Sequence, residues 1–598
     1  MRQQGKEQVP RRDAIRWTLA GAAGLAVLAS NASRGSGTEA STQAAPDRPD
    51  APRTTSDASV VAGRQRVLGL PYRRLAQGPA IERVIREDLC LRRESPWRTG
   101  LAAFGQITDS HVLDAANPGR LSFLWQYMDF SDGFPNSGKF RPHDLLTVHV
   151  LDASVRQINA VGRGPVSGRP LDCLVVTGDL TNSYCLSELS AAVGVFAGGS
   201  VNAHAGGRYV GVQDEGAAPP ALFKSIWHPE PAPSPLRRDD WQRLYGYPTV
   251  KGFLAAAVEP IAAPGSDFKW YVGIGNHDDA GRPARGTLSP KAQFVDLVRI
   301  GDRLPTELPP GVKASEFWTE VRRSDAAQRH ALLESLPFRK VPASTLRRAF
   351  STTEFIDAWS HGASRKLLPT RGESSLDKPF YSFSISADVV GIMLNTASPS
   401  GGTEAVLDAA QADWLEKELA LLSARSYDSK GHLVHSDAED KLVVLFSHHP
   451  ATAFGEDSSP SDESSPSLNR SAILDLIARF PNVIAWMNGH THRHRVASHK
   501  ARYGYGGFWE ITTASLIDYP QQSRIVEVMD NRNGTLSLNA TLVDHSTPES
   551  VAYEGEHTPA SLAALSLELA MNRPGLNFDA VMGTGADQNV ELLVRKPY

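Results

Sequence analysis

The chain has 598 residues, 41% of them apolar and 21% charged, and a net charge of −4. That length exceeds one ordinary core and implies several domains or one heavily inserted domain, while the composition is that of a soluble globular protein. Past the N-terminus no run of about 18 apolar residues supports a membrane helix, and no long basic stripe makes nucleic acid an obligate partner.

The N-terminal stretch VPRRDAIRWTLAGAAGLAVLASNAS sets Arg11-Arg12 and Arg16 before a short apolar run from Trp17 to Ala29. Ser30-Asn31-Ala32 then offers a small-x-small cleavage site. This is the layout of an export signal, and the arginine pair resembles the twin-arginine type, with Ala14 where an aromatic usually follows. Residues 1–32 are therefore read as a removable signal. The twin-arginine export machinery is the expected partner, the location is extracytoplasmic, and the mature form has no transmembrane segment. Residues 33–63 are Ser, Thr, Ala, Pro, Asp and Arg with little to bury, and read as a disordered linker. Three cysteines (Cys90, Cys173 and Cys185) permit at most one intramolecular disulfide, and Cys173 and Cys185 read as core or near-core residues.

Next come apolar, β-rich runs, each closed by a polar cluster: GLAAFGQITDSH, LDCLVVTGDLTNS, FKWYVGIGNHDD, KLVVLFSHHP and NVIAWMNGHTHRH. Each fits a strand buried on both faces. Between them lie helical patterns, Leu407 to Leu422 with Asp408 as N-cap and Ser471 to Phe480. Strands alternating with helices predict an α/β architecture. Segments at about 183–267 and 282–378 interrupt the rhythm as insertions, and Gly455 to Ser467 is an acidic Ser/Pro-rich loop. Past Gly506 three more β-like runs follow, the last two joined by a hairpin turn at Asn531-Arg532-Asn533-Gly534.

Read together, the strand ends supply Asp109 and His111, Asp179, Asn276 and His277, His448 and His449, and His490 and His492. Polar groups at the carboxyl ends of strands in an open α/β sheet point into one crevice. Carboxylate, imidazole and amide oxygen together suit divalent transition metals rather than calcium. A lone Asp-x-His is more often a turn than a ligand pair, but five blocks in order, each at a strand end, carry a signal that none carries alone.

These blocks (DSH, GD, GNHD, HHP and GHTH) resemble the signature blocks of the calcineurin-like metallophosphoesterase superfamily, in the family's order, over roughly Phe104 to Asp544. The resemblance implies a metallophosphoesterase-type sandwich of two mixed β-sheets flanked by helices. It places the domain at 64–545, with 546–598 as a C-terminal extension. It also implies two divalent transition metal ions (Mn, Fe or Zn). Asp109, His111, Asp179 and His492 would hold one, and Asp179, Asn276, His448 and His490 the other, so that Asp179 bridges. His277 would face the substrate phosphate as a general acid, with Asp278 orienting it. His449 is expected behind the ligands, and His228 and His494 at the surface or lining the pocket. Purple acid phosphatases carry a tyrosine three residues after the bridging Asp, where this chain has Asn182. The GDLTN block is closer to phosphodiesterase-type members. The expected function is hydrolysis of a small-molecule, lipid or nucleotide phosphoester by a metal-activated hydroxide, a phosphodiester slightly favoured. The alternatives are a phosphomonoesterase and a non-catalytic exported binding protein on the same scaffold. A metallopeptidase is disfavoured because no His-Glu-x-x-His helix is present.

Overall fold

The computed structural model describes residues 53–598 apart from 94, 128–139, 215–218, 233, 235–236, 279–297, 363–378, 399–401, 457–466 and 505. The export signal, most of the linker, the start of the second insertion and the acidic loop lie outside the described residues. Among the described residues, no helix is long and apolar enough to cross a membrane.

Two mixed sheets form the centre of the molecule. The strands of the first are β1 (Val84–Arg86), β2 (Thr99–Ile107), β3 (Cys173–Val176) and β4 (Trp270–Val272), with three more from the C-terminal part of the chain. The second sheet contains β5 (Tyr381–Ser384), β6 (Val389–Met393), β7 (Leu442–Phe446), β8 (Val483–Asn488), β9 (Arg495–Lys500) and β10 (Gly507–Thr512). The chain then returns to the first sheet with β11 (Gln522–Asp530), β12 (Thr535–Asp544) and β13 (Val590–Arg595). The spatial orders are β1-β13-β12-β11-β2-β3-β4 and β5-β6-β7-β8-β10-β9. In the first sheet β2, β3 and β4 run parallel, and in the second β6, β7, β8 and β10 do.

Alternation along the strands sorts side chains into layers, because successive residues face opposite sides of a sheet. Phe104, Val175 and Tyr271 of the first sheet meet Phe383, Val444, Phe446, Met487 and Trp509 of the second in one buried core. Tyr271 stacks on Phe383 at 3.9 Å between ring centroids, and Phe104 meets Phe446 edge-on at 5.5 Å. The outward residues Leu174 and Val176 pack with Leu151, Val155, Ile158 and Leu189. These come from α1 (Thr147–Val161) and α2 (Leu186–Ala197). On the other side, Ile392, Val443 and Leu445 pack with Leu415, Leu419, Ile473 and Ile477, from α3 (Ala409–Leu421) and α4 (Arg470–Ala478). Each such fully buried side chain contributes about 1.5–3 kcal/mol. The result is a sandwich of two mixed sheets flanked by helices, as the sequence blocks implied.

Local expectations hold in detail. Asp408 caps α3 by accepting from the Gln411 amide at 2.8 Å. The β11–β12 hairpin turns over residues 531–534, where Arg532 and Gly534 take positive φ. Three expected boundaries change. The linker read as 33–63 ends earlier: Ser59–Gln65 is a strand paired with Arg73–Gly78, and the Thr55 hydroxyl donates to Asn589 Oδ1 at 3.0 Å. The segment 546–598 is no appendage. Its β13 lies inside the first sheet between β12 and β1, and α5 (Pro559–Met571) buries Leu562, Leu565 and Leu569. Within the first expected insertion, α2 belongs to the helical layer, so the segment added to the fold begins only after Ala197. The three cysteines are unpaired.

Candidate metal centre

Parallel strands deliver their carboxyl ends to one edge, and the loops leaving β2, β3, β4, β7 and β8 carry the expected ligands. Backbone bonds tie these loops together: the Asp109 amide donates to Gly178 O at 3.0 Å and the His111 amide to Asp179 O at 2.9 Å. Two glycines allow the approach. A Cβ on Gly275 would overlap the Asp179 carboxylate, and one on Gly489 would overlap Thr108 and the Asp109 carboxylate. Five of the seven expected ligands (Asp109, His111, Asp179, His490 and His492) adopt positive φ between 41° and 68°. Such backbone costs on the order of 1–3 kcal/mol per residue and concentrates where function requires it.

The side chains converge. Ligand atoms of Asp109, His111 and His492 lie within 4.8 Å of one another, as do those of Asp109, Asp179 and His448, and those of His448, His449 and His490. Asp179 Oδ2 is 3.5 Å from His111 Nε2 and 3.2 Å from His448 Nε2. His492 Nε2 is 3.3 Å from both Asp109 Oδ1 and His111 Nε2. Asn276 Oδ1 lies 3.1 Å from His448 Nε2 and 3.1 Å from His490 Nδ1, and those two nitrogens are 3.2 Å apart. Outer contacts aim the rings: His448 Nδ1 is 3.0 Å from Thr177 O, and His492 Nδ1 is 2.8 Å from Asp518 Oδ2.

These atoms fit a pair of cations. Asp109 Oδ2 accepts from the Thr108 hydroxyl at 2.6 Å and the His490 amide at 2.9 Å, whereas buried Oδ1 has no hydrogen-bond partner. A buried carboxylate oxygen without a donor is costly unless a cation faces it. Protons are drawn in instead. Although burial opposes it, Asp179 and Asp109 raise His448 to about 9. Against the same opposition, Asp109 and Asp518 raise His492 to about 10. Metal binding to such a site displaces these protons. His111 and His490, held to about 4 mainly by burial, already present neutral nitrogens.

No family model and no curated protein matches the chain. Among solved structures it is similar to a dimetal phosphatase from Danio rerio, at 12% identity and a TM-score of 0.30, covering 75% of this chain and 100% of that one. It is also similar to a purple acid phosphatase from yellow lupin (Lupinus luteus) seeds, at 12% identity and 0.26, covering 75% and 52%. A third is PhoD, at 10% identity and 0.25, covering 84% and 83%.

The remaining expected residues take varied places. His277 is half-buried beside His111, with ring centroids 4.6 Å apart; its amide donates to Asp179 Oδ1 at 2.8 Å, and its Nδ1 lies 2.6 Å from Asn182 O. The Asn182 carbonyl therefore orients this ring, and the role expected of Asp278 is corrected. Asp278 instead accepts from the amides of Leu180, Thr181 and Gly275 at 2.8–3.1 Å and from the Thr181 hydroxyl at 3.0 Å. It braces the loop that carries Asp179, because a carboxylate next to converging amides satisfies several buried donors at once. Burial and neighbouring Asp179 push its carboxyl up to about 7. His449 is buried with Nδ1 2.9 Å from the Thr396 hydroxyl, its ring 4.3 Å from that of His490. His228 and His494, expected at the surface or in the pocket, are both interior. His228 stacks on Phe223, and His494 Nε2 lies 2.9 Å from Gln522 Oε1. Sequence reading missed Asp518, Arg141 and Arg573, whose separation along the chain gives no spacing signal.

Proposed function

We propose that the chain is an exported, metal-dependent phosphoester hydrolase. Asp109, His111, Asp179 and His492 hold one divalent ion, and Asp179, Asn276, His448 and His490 hold the other. The carrying observation is the single oxygen Asp179 Oδ2, set within 3.5 Å of His111 on one side and 3.2 Å of His448 on the other. One carboxylate facing two ligand sets is what a closely spaced cation pair needs to offset its mutual repulsion. When bound, such a pair supplies Lewis acidity toward the phosphoryl group and makes a water acidic enough to attack near neutral pH.

The chain's own residues do the rest. The Asn182 carbonyl accepts a hydrogen bond from His277 Nδ1–H, so that the imidazolium presents Nε2–H to stabilise phosphoryl charge or to give its proton to the leaving oxygen. Asp278 keeps the Asp179 loop in register with the Asn276 turn, so ligand and acid are placed by one set of hydrogen bonds. A phosphodiester is favoured over a monoester on the block Gly178-Asp179-Leu180-Thr181-Asn182. The Arg11-Arg12 pair supports delivery of the folded, metal-loaded protein across the cytoplasmic membrane.

The test is turnover of an aryl phosphodiester and an aryl phosphomonoester by mature protein reconstituted with manganese. Hydrolysis that a chelator abolishes is expected, faster for the diester. Two bound ions with neither ester hydrolysed would identify a binding protein on this scaffold. Replacing Arg11-Arg12 by Lys-Lys is expected to retain the folded precursor in the cytoplasm; unchanged export would refute the twin-arginine address.

A further inference from the structure

We infer that Asp518 is the positioning residue that sets the tautomer and the aim of His492, held to that task by Arg141 and Arg573; this rests on the two-metal reading above. Asp518 lies on the loop after β10, which straps across the first ligand loop. The Leu516 and Ile517 amides each donate to Asp109 O at 3.1 Å, and the Asp518 amide donates to Ser515 Oγ at 3.1 Å. The backbone under Asp518 is thus tied directly to the backbone of ligand Asp109.

The carboxylate is gripped from two further segments. Arg141 donates through Nε to Oδ1 at 2.7 Å and through Nη2 to Oδ2 at 3.0 Å, a bidentate pair. Arg573, just past α5, donates through Nη1 to Oδ1 at 3.0 Å. Oδ2 also faces His492 Nδ1 at 2.8 Å. Three guanidinium N–H groups already donate to this carboxylate, which is thereby set as an acceptor toward the ring. The hydrogen between Asp518 and His492 therefore sits on Nδ1. Nε2 is then the nitrogen left to offer a metal its lone pair, once the proton drawn toward Asp109 is displaced, and it is 3.3 Å from Asp109 Oδ1 and 3.3 Å from His111 Nε2. An imidazole without this acceptor is free to carry its proton on the ligating nitrogen. Because Arg573 comes from beyond residue 545, the C-terminal part of the chain acts on the centre through one carboxylate.

The experiment loads full-length mature protein with manganese, titrates it with a chelator, and counts ions per chain by elemental analysis alongside thermal unfolding. Asp518→Asn is expected to release one of its two ions at about 10–100-fold lower chelator concentration, with the second ion unmoved. Arg573→Met is expected to weaken the same ion by less. A wild-type release curve for Asp518→Asn, or equal weakening of both ions, overturns the inference while leaving the two-metal reading intact. Wild-type protein that holds no ion overturns both. Should Asp518→Asn fail to fold, Arg573→Met decides: selective weakening of one ion supports the role, and an unchanged curve overturns it.

Discussion

The two halves of the centre stand on different supports. Around His448 and His490 the anchors are neutral: the Thr177 carbonyl and the Asn276 amide oxygen. Around His111 and His492 they are charged, with Asp109 as a ligand proposed for that half only and Asp518 behind it with its two arginines. The protonation of the rings does not follow this division, because each half pairs one ring raised by carboxylates against burial, His492 at about 10 and His448 at about 9, with one lowered to about 4 mainly by burial, His111 and His490. On the proposed two-ion reading, Asp109 would draw a cation to the first half by charge, and the second half would hold one by preset geometry and by its share of Asp179. The first half can be dismantled through its outer side chains. The second rests partly on a backbone carbonyl, which no substitution removes.

The largest effect is expected where the halves meet. Asp179→Ala removes the only side chain proposed to touch both ions, so elemental analysis should find both lost and hydrolysis abolished. Retention of two ions would show that the halves are independent sites and that nothing bridges them. Next is the acid. His277→Ala should keep both ions while turnover falls about 10²–10⁴-fold. The fall should be smaller for esters with good leaving groups, because they need little protonation. Metal loss in this variant would make His277 a ligand. An equal defect for good and poor leaving groups would reduce it to phosphate binding.

The smallest effect sharpens the contrast itself. Asn276→Ala takes one neutral donor from the second half and should weaken only that ion, by about 10-fold, roughly the effect of one hydrogen-bonding support. Excess manganese should restore most of the activity. Weakening of the ion on Asp109, His111 and His492 instead would mean that the halves are assigned the wrong way round. On chelation of wild-type protein, the ion of the neutral half should leave first. Simultaneous release would contradict the difference in charge described above.

The strands and the identities of the converging residues were legible in the sequence because both are local. Runs such as LVVLF and CLVV report burial on two faces, and the Gly-Asp, Gly-Asn and Gly-His pairs that follow several of these runs report sharp turns that present side chains at a strand end. The Asp408 cap and the 531–534 hairpin were legible for the same reason. What only the tertiary structure decided are the meetings of residues far apart in the chain. Asp278 looked like the partner of its neighbour His277, yet its carboxylate finds the amides of residues 180 and 181, while the ring turns to Asn182 O. His228 and His494 are polar in type, but sheet and loop packing close over them. Strand β13 enters the first sheet beside β12, and Asp518 meets Arg141 and Arg573, because strand order brings those segments to one edge. Sequence patterns record how a segment is buried and where it turns; which carboxylate meets which cation depends on the order of the strands in space.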